Sequence, residues 1–220
     1  MPLLATKDRY IFFAHIPKTA GSSVKRYLLT KGELYLSSST VPAGLSITPQ
    51  HFHAELYTGM LPPSLLAHSF AVLRDPLARM VSEYKYRSVA PPAPWPWINR
   101  ITGTARMHVK YGHRRRVMSF DRWVAATLRA YRKSPTIYDN HIRPQVEFLS
   151  GVQKLFVLED GLEQVFRWID MITETPPEPG FFHENKSSGY SVSISENTHA
   201  AICSFYADDY RLLERVKHGS

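Results

Sequence analysis

The sequence predicts an α/β fold: a single domain with a central parallel sheet flanked by helices. Three observations carry that prediction. Short apolar runs rich in aromatic and branched residues recur as "RYIFFAH" (9–15), "SFAVLRD" (69–75) and "KLFVLED" (154–160). Each is followed by a segment with apolar residues at helical spacing, and strands alternating with helices favour parallel pairing. The length, 220 residues, suits one core that buries most of its apolar surface.

Taken in order, the N-terminus reaches its first strand about nine residues in, at 9–15. "SSVKRYLL" (22–29) places Val24, Tyr27 and Leu28 on one helical face, with a serine as N-cap. Residues 30–50 are turn-rich and read as loop. "HFHAELYTGMLPP" fits a short strand or a helical turn, ended by the proline pair. After the second strand, "DPLARMVSEYKY" opens a helix with Asp75 as cap and Pro76 at the first helical position. Leu77, Met80, Val81 and Tyr84 form its apolar stripe. "APPAPWPW" (90–97) begins a basic insertion over 88–118. Further helices follow at 120–131 and in "GLEQVFRWIDMI". "TPPEPGFFHENKSSGY" is an irregular loop, and Ser195 caps one final helix.

Composition narrows the function. A single cysteine, Cys203, excludes an internal disulfide and a multi-thiolate metal site. No apolar run is long enough to span a membrane. The formal net charge is +8. Residues 98–133 hold ten Lys/Arg against Asp121 alone, so this segment carries more than the whole excess. It is either a solvated basic face or a docking surface for a polyanion or acidic sugar. No nucleic-acid recognition motif accompanies it, so no nucleic acid is expected.

Two strand ends carry the chemistry. In an open α/β sheet, ligands sit beyond the carboxyl ends of the strands, where a following helix directs N–H groups and its positive end. Pro17, Lys18, Thr19, Ala20, Gly21, Ser22 and Ser23 make such an anion cradle, with a cation, hydroxyls and a glycine for close approach. It is not a Walker A loop, because Lys18 precedes Gly21 instead of following a second glycine. At the second strand end, Arg74 suits a phosphate bidentately and Ser82 on the next helix can complete the site. Two such ends suggest a ligand with two separated phosphate-like groups.

"HIPKTAGSS" together with "FAVLRDPLARMVSEY" resembles the sulfotransferase superfamily, closest to the carbohydrate branch related to the heparan and dermatan 2-O-sulfotransferases (sulfotransferase family 2). The resemblance implies a P-loop-kinase-like sulfotransferase fold. It implies 3′-phosphoadenosine 5′-phosphosulfate (PAPS) as donor, leaving 3′-phosphoadenosine 5′-phosphate (PAP), with no metal. By it, residues 17–23 hold the 5′-phosphosulfate, Arg74 and Ser82 the 3′-phosphate, and Lys186 and Ser187 of "ENKSSGY" close over the nucleotide. Lys18 then stabilises the departing phosphate. His51 and His53 of "QHFHAEL" resemble the family's base-bearing segment, with His53 favoured, His51 assisting and Glu55 in reserve. On a strand, residues two apart share a face, so both could look into one cleft. His15 reads as a structural hydrogen-bonder, while His141, Arg143 and Gln145 are either acceptor contacts or a loop-to-helix transition. Trp95 and Trp97 with the arginines after them form an acceptor platform or a packed cover. The acceptor is a hydroxyl of a carbohydrate or glycolipid, possibly anionic. Without an anchor or disulfides, a cytoplasmic bacterial enzyme is expected. Two alternatives remain open: a small-molecule or nucleotide kinase, and a non-catalytic polyanion-binding module.

Overall fold

A computed structural model describes residues 1–89, 107–111, 114–179 and 191–218. Its main sheet contains β1 (Leu3–Ala5), β2 (Tyr10–Phe13), β3 (Glu33–Tyr35), β4 (Ser69–Leu73) and β8 (Lys154–Val157), in the order β3-β1-β2-β4-β8. β2, β4 and β8 run parallel, with Phe13 opposite Phe70 and Phe70 opposite Lys154. β1 is antiparallel to both β2 and β3. The sheet is therefore mixed, correcting the expected parallel sheet. The three apolar runs form its parallel part, and the two strands missed by pattern reading form the antiparallel edge. β1 and β3 are three residues each, too short to show a period, so the chain enters its first strand at Leu3 and 30–50 is not all loop.

Alternate residues of the parallel strands enter opposite cores. Phe12, Ala71 and Leu73 pack with Phe52, Tyr57 and Phe148. Ile11, Phe13, Phe70 and Val72 pack with Val24, Tyr27, Phe166 and Ile169. Burial on both faces is why these runs read as continuously apolar. The second core rests on α1 (Gly21–Leu28) and α5 (Glu163–Thr173), where Tyr27 stacks on Phe166 at 4.1 Å.

The remaining helices are α2 (Ala54–Met60), α3 (Pro76–Arg87), α4 (Phe120–Lys133), α6 (Glu196–Phe205) and α7 (Ala207–His218). Met80 and Tyr84 of α3 join Phe120, Trp123 and Leu128 of α4 and Ile202 of α6 in a third cluster. The single final helix expected after Ser195 is two. Tyr206 leaves the helical region at their junction (φ −106°, ψ 28°), and its buried hydroxyl donates to the carbonyl of Ile142 at 2.7 Å. Within the basic insertion, β5 (Ser88–Val89), β6 (Met107–Tyr111) and β7 (Arg114–Met118) make a separate antiparallel sheet.

Candidate active site

The parallel pairing of β2 and β4 points their carboxyl ends to the same edge of the sheet; β4 leads almost at once into α3, and a loop over 14–20 joins β2 to α1. The loop after β2 turns sharply: Lys18 and Ala20 sit in the left-handed region at φ 69° and 64°. Conformations of that kind cost of order 1–3 kcal/mol each in non-glycine residues and persist where the surroundings over-determine them. Here Thr19, fully buried, donates its hydroxyl back to the carbonyl of Ile16 at 2.8 Å. Arg74 donates to the carbonyl of Lys18 at 3.1 Å, and Arg79 to that of Pro17 at 3.0 Å. Two guanidinium groups from the second strand–helix junction thus hold the first loop in shape.

The expected serine cap on α1 is absent. Ala20 is the N-cap and no side chain satisfies the first turn. Ser22 therefore lies inside that turn, and among the described residues its N–H and that of Gly21 bond to no protein acceptor. Gly21 is required by proximity: a Cβ there would lie 1.7 Å from Nε2 of His15. His15, buried beneath the helix start, stacks on Phe13 at 5.2 Å and leaves its Nδ1 without a partner. Burial, then the neighbouring His51, pushes its pKa well below the ordinary value, so it stays neutral.

His51 and His53 do not share a strand. His51 ends a 3₁₀ turn (Pro49–His51), and His53 is the extended N-cap of α2. Both are held by a turn at 138–140, whose three residues are all left-handed (φ 55°, 59° and 63°). Asp139 accepts from His51 Nδ1 at 2.7 Å and from the Thr48 N–H and hydroxyl at 2.6 and 2.7 Å. Burial would raise the Asp139 carboxyl, but His51 and Thr48 outweigh it and hold it down to about 2. His51 itself is pushed down to about 4, by burial above all, with Asp139 opposing. An ionised carboxylate accepts, so Nδ1 of His51 carries the proton and Nε2 keeps a free lone pair.

His53 is wired the opposite way. Asn140, fully buried, directs its amide nitrogen at the carbonyl of His51 (2.9 Å) and at Nδ1 of His53 (3.2 Å), while its oxygen accepts from Arg143 Nε at 3.0 Å. The carbonyl and the guanidinium together determine which way the amide faces. Nδ1 of His53 must then accept, and Nε2 carries the proton, 3.7 Å from the exposed Glu55.

A third imidazole completes the cluster. His141 Nδ1 donates to Glu83 Oε2 at 2.7 Å, and its ring meets His51 edge-on at 5.0 Å; His51 meets His15 at 4.8 Å. Lys18 places its ammonium over the Tyr86 ring at 4.1 Å, and Tyr86 lies 6.1 Å from His141. Desolvation lowers the lysine pKa, with Glu83 opposing. Lys18, Tyr86, His141, His51 and His15 thus form one chain of contacts that ends against Gly21 at the α1 N-terminus.

His51, Asp139 and His141 bring one ligand-type atom each within 4.8 Å. Asp139 already accepts three hydrogen bonds, and each imidazole Nδ1 is committed to a carboxylate. The group fits two carboxylate–imidazole pairs better than a metal centre.

Other expected site residues have different surroundings. Ser82 is half-buried on α3. Gln145 brackets Arg74, accepting from its N–H at 2.9 Å and donating to its carbonyl at 2.8 Å, and Arg143 pairs with Glu147. Lys186, Ser187, Trp95 and Trp97 lie outside the described residues. Asp139, Glu83 and Arg79 escaped sequence reasoning. Arg79 is 1% exposed and also donates to the carbonyl of His141 at 2.9 Å. Its position on the buried side of the α3 stripe, between Leu77 and Met80, was the available signal.

The arrangement can hold an anion at the uncapped helix start, beside a cation, and remove a proton at His51 Nε2. A family model described as "Sulfotransferase family" matches residues 2–214. No curated protein and no solved structure matches the chain.

Proposed function

The chain belongs to the sulfotransferase family, and on that premise we propose that it transfers the sulfuryl group of PAPS to a hydroxyl of a carbohydrate or glycolipid acceptor. The observation that carries this reading is the uncapped, arginine-braced loop 17–23, linked through His15 to the His51–Asp139 pair. The residues fit a nucleotide with two anionic groups: Arg79 NH1 is buried without a hydrogen-bond partner, Arg74 Nε has only Glu159 at 4.0 Å, and the Gly21 and Ser22 N–H groups at the start of α1 add further donors.

PAPS, when bound, supplies an activated sulfuryl group with a phosphate as leaving group. Residues 17–23 receive its 5′-phosphosulfate, Arg74 and Ser82 its 3′-phosphate, and Lys186 and Ser187 add later contacts. Lys18 neutralises charge that grows on the departing phosphate oxygen. His51 is the base. Its Nε2 takes the acceptor proton, and Asp139 holds the ring in the required tautomer and stabilises the imidazolium that forms. This reverses the order of preference between the two histidines, because Asn140 occupies the lone pair of His53 that the proton would need. His53 then positions α2 and the pocket wall. The basic face of α4, where Arg122, Arg129, Arg132 and Lys133 are exposed, suits an acidic acceptor. Among the described residues no helix is long and apolar enough to cross a membrane. A bacterial, cytoplasmic setting remains part of the proposal.

Calorimetric titration with PAP, alongside ATP plus Mg²⁺, tests the reading. PAP should bind, and Arg74→Ala should abolish that binding. Binding of Mg²⁺-ATP without PAP would instead select the kinase alternative. Polyanion binding that survives loss of Lys18 and falls steeply with salt would select the non-catalytic one.

A further inference from the structure

Glu83 has no place in the reading above, yet it is the most enclosed carboxylate near the pocket. Its side chain is 0% exposed. An isolated buried carboxylate is costly, so its partners are its reason for being there. Oε2 accepts from His141 Nδ1 at 2.7 Å, and Oε1 accepts from Nε of Arg87, one turn along α3. Arg87 is itself seated on the Tyr138 ring at 3.6 Å, beside the turn that carries Asp139. Lys18 acts on the same carboxylate through space, and Tyr86, three residues on from Glu83, lies beneath the lysine ammonium. One carboxylate thus touches an imidazole that faces His51, and one turn of the same helix carries the ring on which the loop lysine rests.

Resting on the sulfuryl-transfer reading, we infer that Glu83 is a positioning residue for that reaction: it fixes the tautomer of His141 and supplies the negative charge that keeps Lys18 cationic, so one residue aligns the acceptor side with the donor side. With Nδ1–H given to Glu83, His141 turns Nε2 toward the pocket, where it contacts the acceptor hydroxyl next to His51. Without a nearby anion, the half-buried Lys18 would lose its proton more readily. The charged and titratable groups around this unit are Lys18 from the loop, Arg74 from the end of β4 and Arg87 from α3, both of which oppose the lysine charge, Arg79 from α3, His51 from the 3₁₀ turn, and Asp139 beside His141. Glu83 is the anion that opposes the desolvation of Lys18, and it is the one hydrogen-bonded to His141.

The test compares Glu83→Gln with the unaltered protein. Misalignment of this sort lowers turnover by about 10²-fold. Removing the anion disfavours the charged lysine, so the alkaline limb of the rate profile should move to lower pH. In the protein without ligand, ¹⁵N NMR should show His141 losing its Nδ1–H tautomer. If Glu83→Gln does not fold, Glu83→Asp carries the test. It keeps the charge but shortens the reach, so turnover should fall while the alkaline limb stays in place. A loss of turnover in Glu83→Gln with an unmoved limb and an unchanged tautomer would reduce Glu83 to a structural role. Failure of the unaltered protein to bind PAP would instead remove the premise, so the two failures are distinct.

Discussion

At His51 and His53 the same side chain, two residues apart, is set to opposite uses by its partner. Asp139 can only accept, so His51 donates from Nδ1 and offers Nε2. The Asn140 amide is turned to donate, so His53 must accept at Nδ1. His51→Ala should therefore lower transfer by about 10²–10⁴-fold, the range for a general base, while PAP binding stays near normal. His53→Ala should cost far less turnover, and equal losses in the two variants would overturn the assignment. The pH profile gives a second reading of the same residue. A base acts when deprotonated, and His51 is pushed down to about 4. Its acid limb should lie near pH 4, well below the ordinary histidine value of about 6.5. A limb near 6.5 would transfer the role to another imidazole.

At the scale of elements, α3 organises the site. Its start was legible, because Asp75 accepts from the Ala78 N–H at 2.7 Å and Pro76 follows at the first helical position. Its buried face does more than pack. Arg79 reaches back to the carbonyl of Pro17 and across to that of His141, so the helix ties the loop 17–23 to the histidine cluster. Arg79→Met should remove both bonds while keeping much of the volume. Each buried carbonyl left unsatisfied costs about 1–3 kcal/mol. Denaturant unfolding should register that loss, and PAP affinity should fall with it. Retained affinity with reduced stability would show that the loop keeps its shape unaided. At α1 a serine near the helix start suggests a cap, whereas the left-handed Ala20 is the N-cap and the helix begins one residue earlier, at Gly21.

Across the whole molecule, neutral histidines and ionised acids packed together make the fold sensitive to acid. His15 and His51 have folded pKa values lowered chiefly by burial. The unfolded chain binds their protons first, so their contribution is complete above about pH 6.5 and declines as pH falls below it. A shift from about 6.5 to about 4 at His51 alone corresponds to on the order of 3 kcal/mol. Glu83 and Asp139, both held to about 2, add a second loss below about pH 4. Tm should fall steadily from pH 6.5 to 4, measured by thermal melts in matched ionic strength. Stability that held constant down to pH 5 would mean that these imidazoles are protonated in the folded protein.

The sequence by itself determined the three parallel strands, because strands buried on both faces need uninterrupted apolar runs. It also determined where the chain passes from strand to helix at 17–23 and at Arg74, since such junctions declare themselves through local chemistry. Only the tertiary structure decided which histidine offers a lone pair. That choice is made by Asp139 and Asn140, 88 and 87 residues away from the rings they contact. It likewise decided the antiparallel edge, whose strands are too short for a pattern, and the burial of Arg79 and Glu83. On a helix face a charged residue looks like solvent exposure until its partners arrive from elsewhere in the chain. Tautomers and buried charges follow from such distant partners, and no local pattern encodes them.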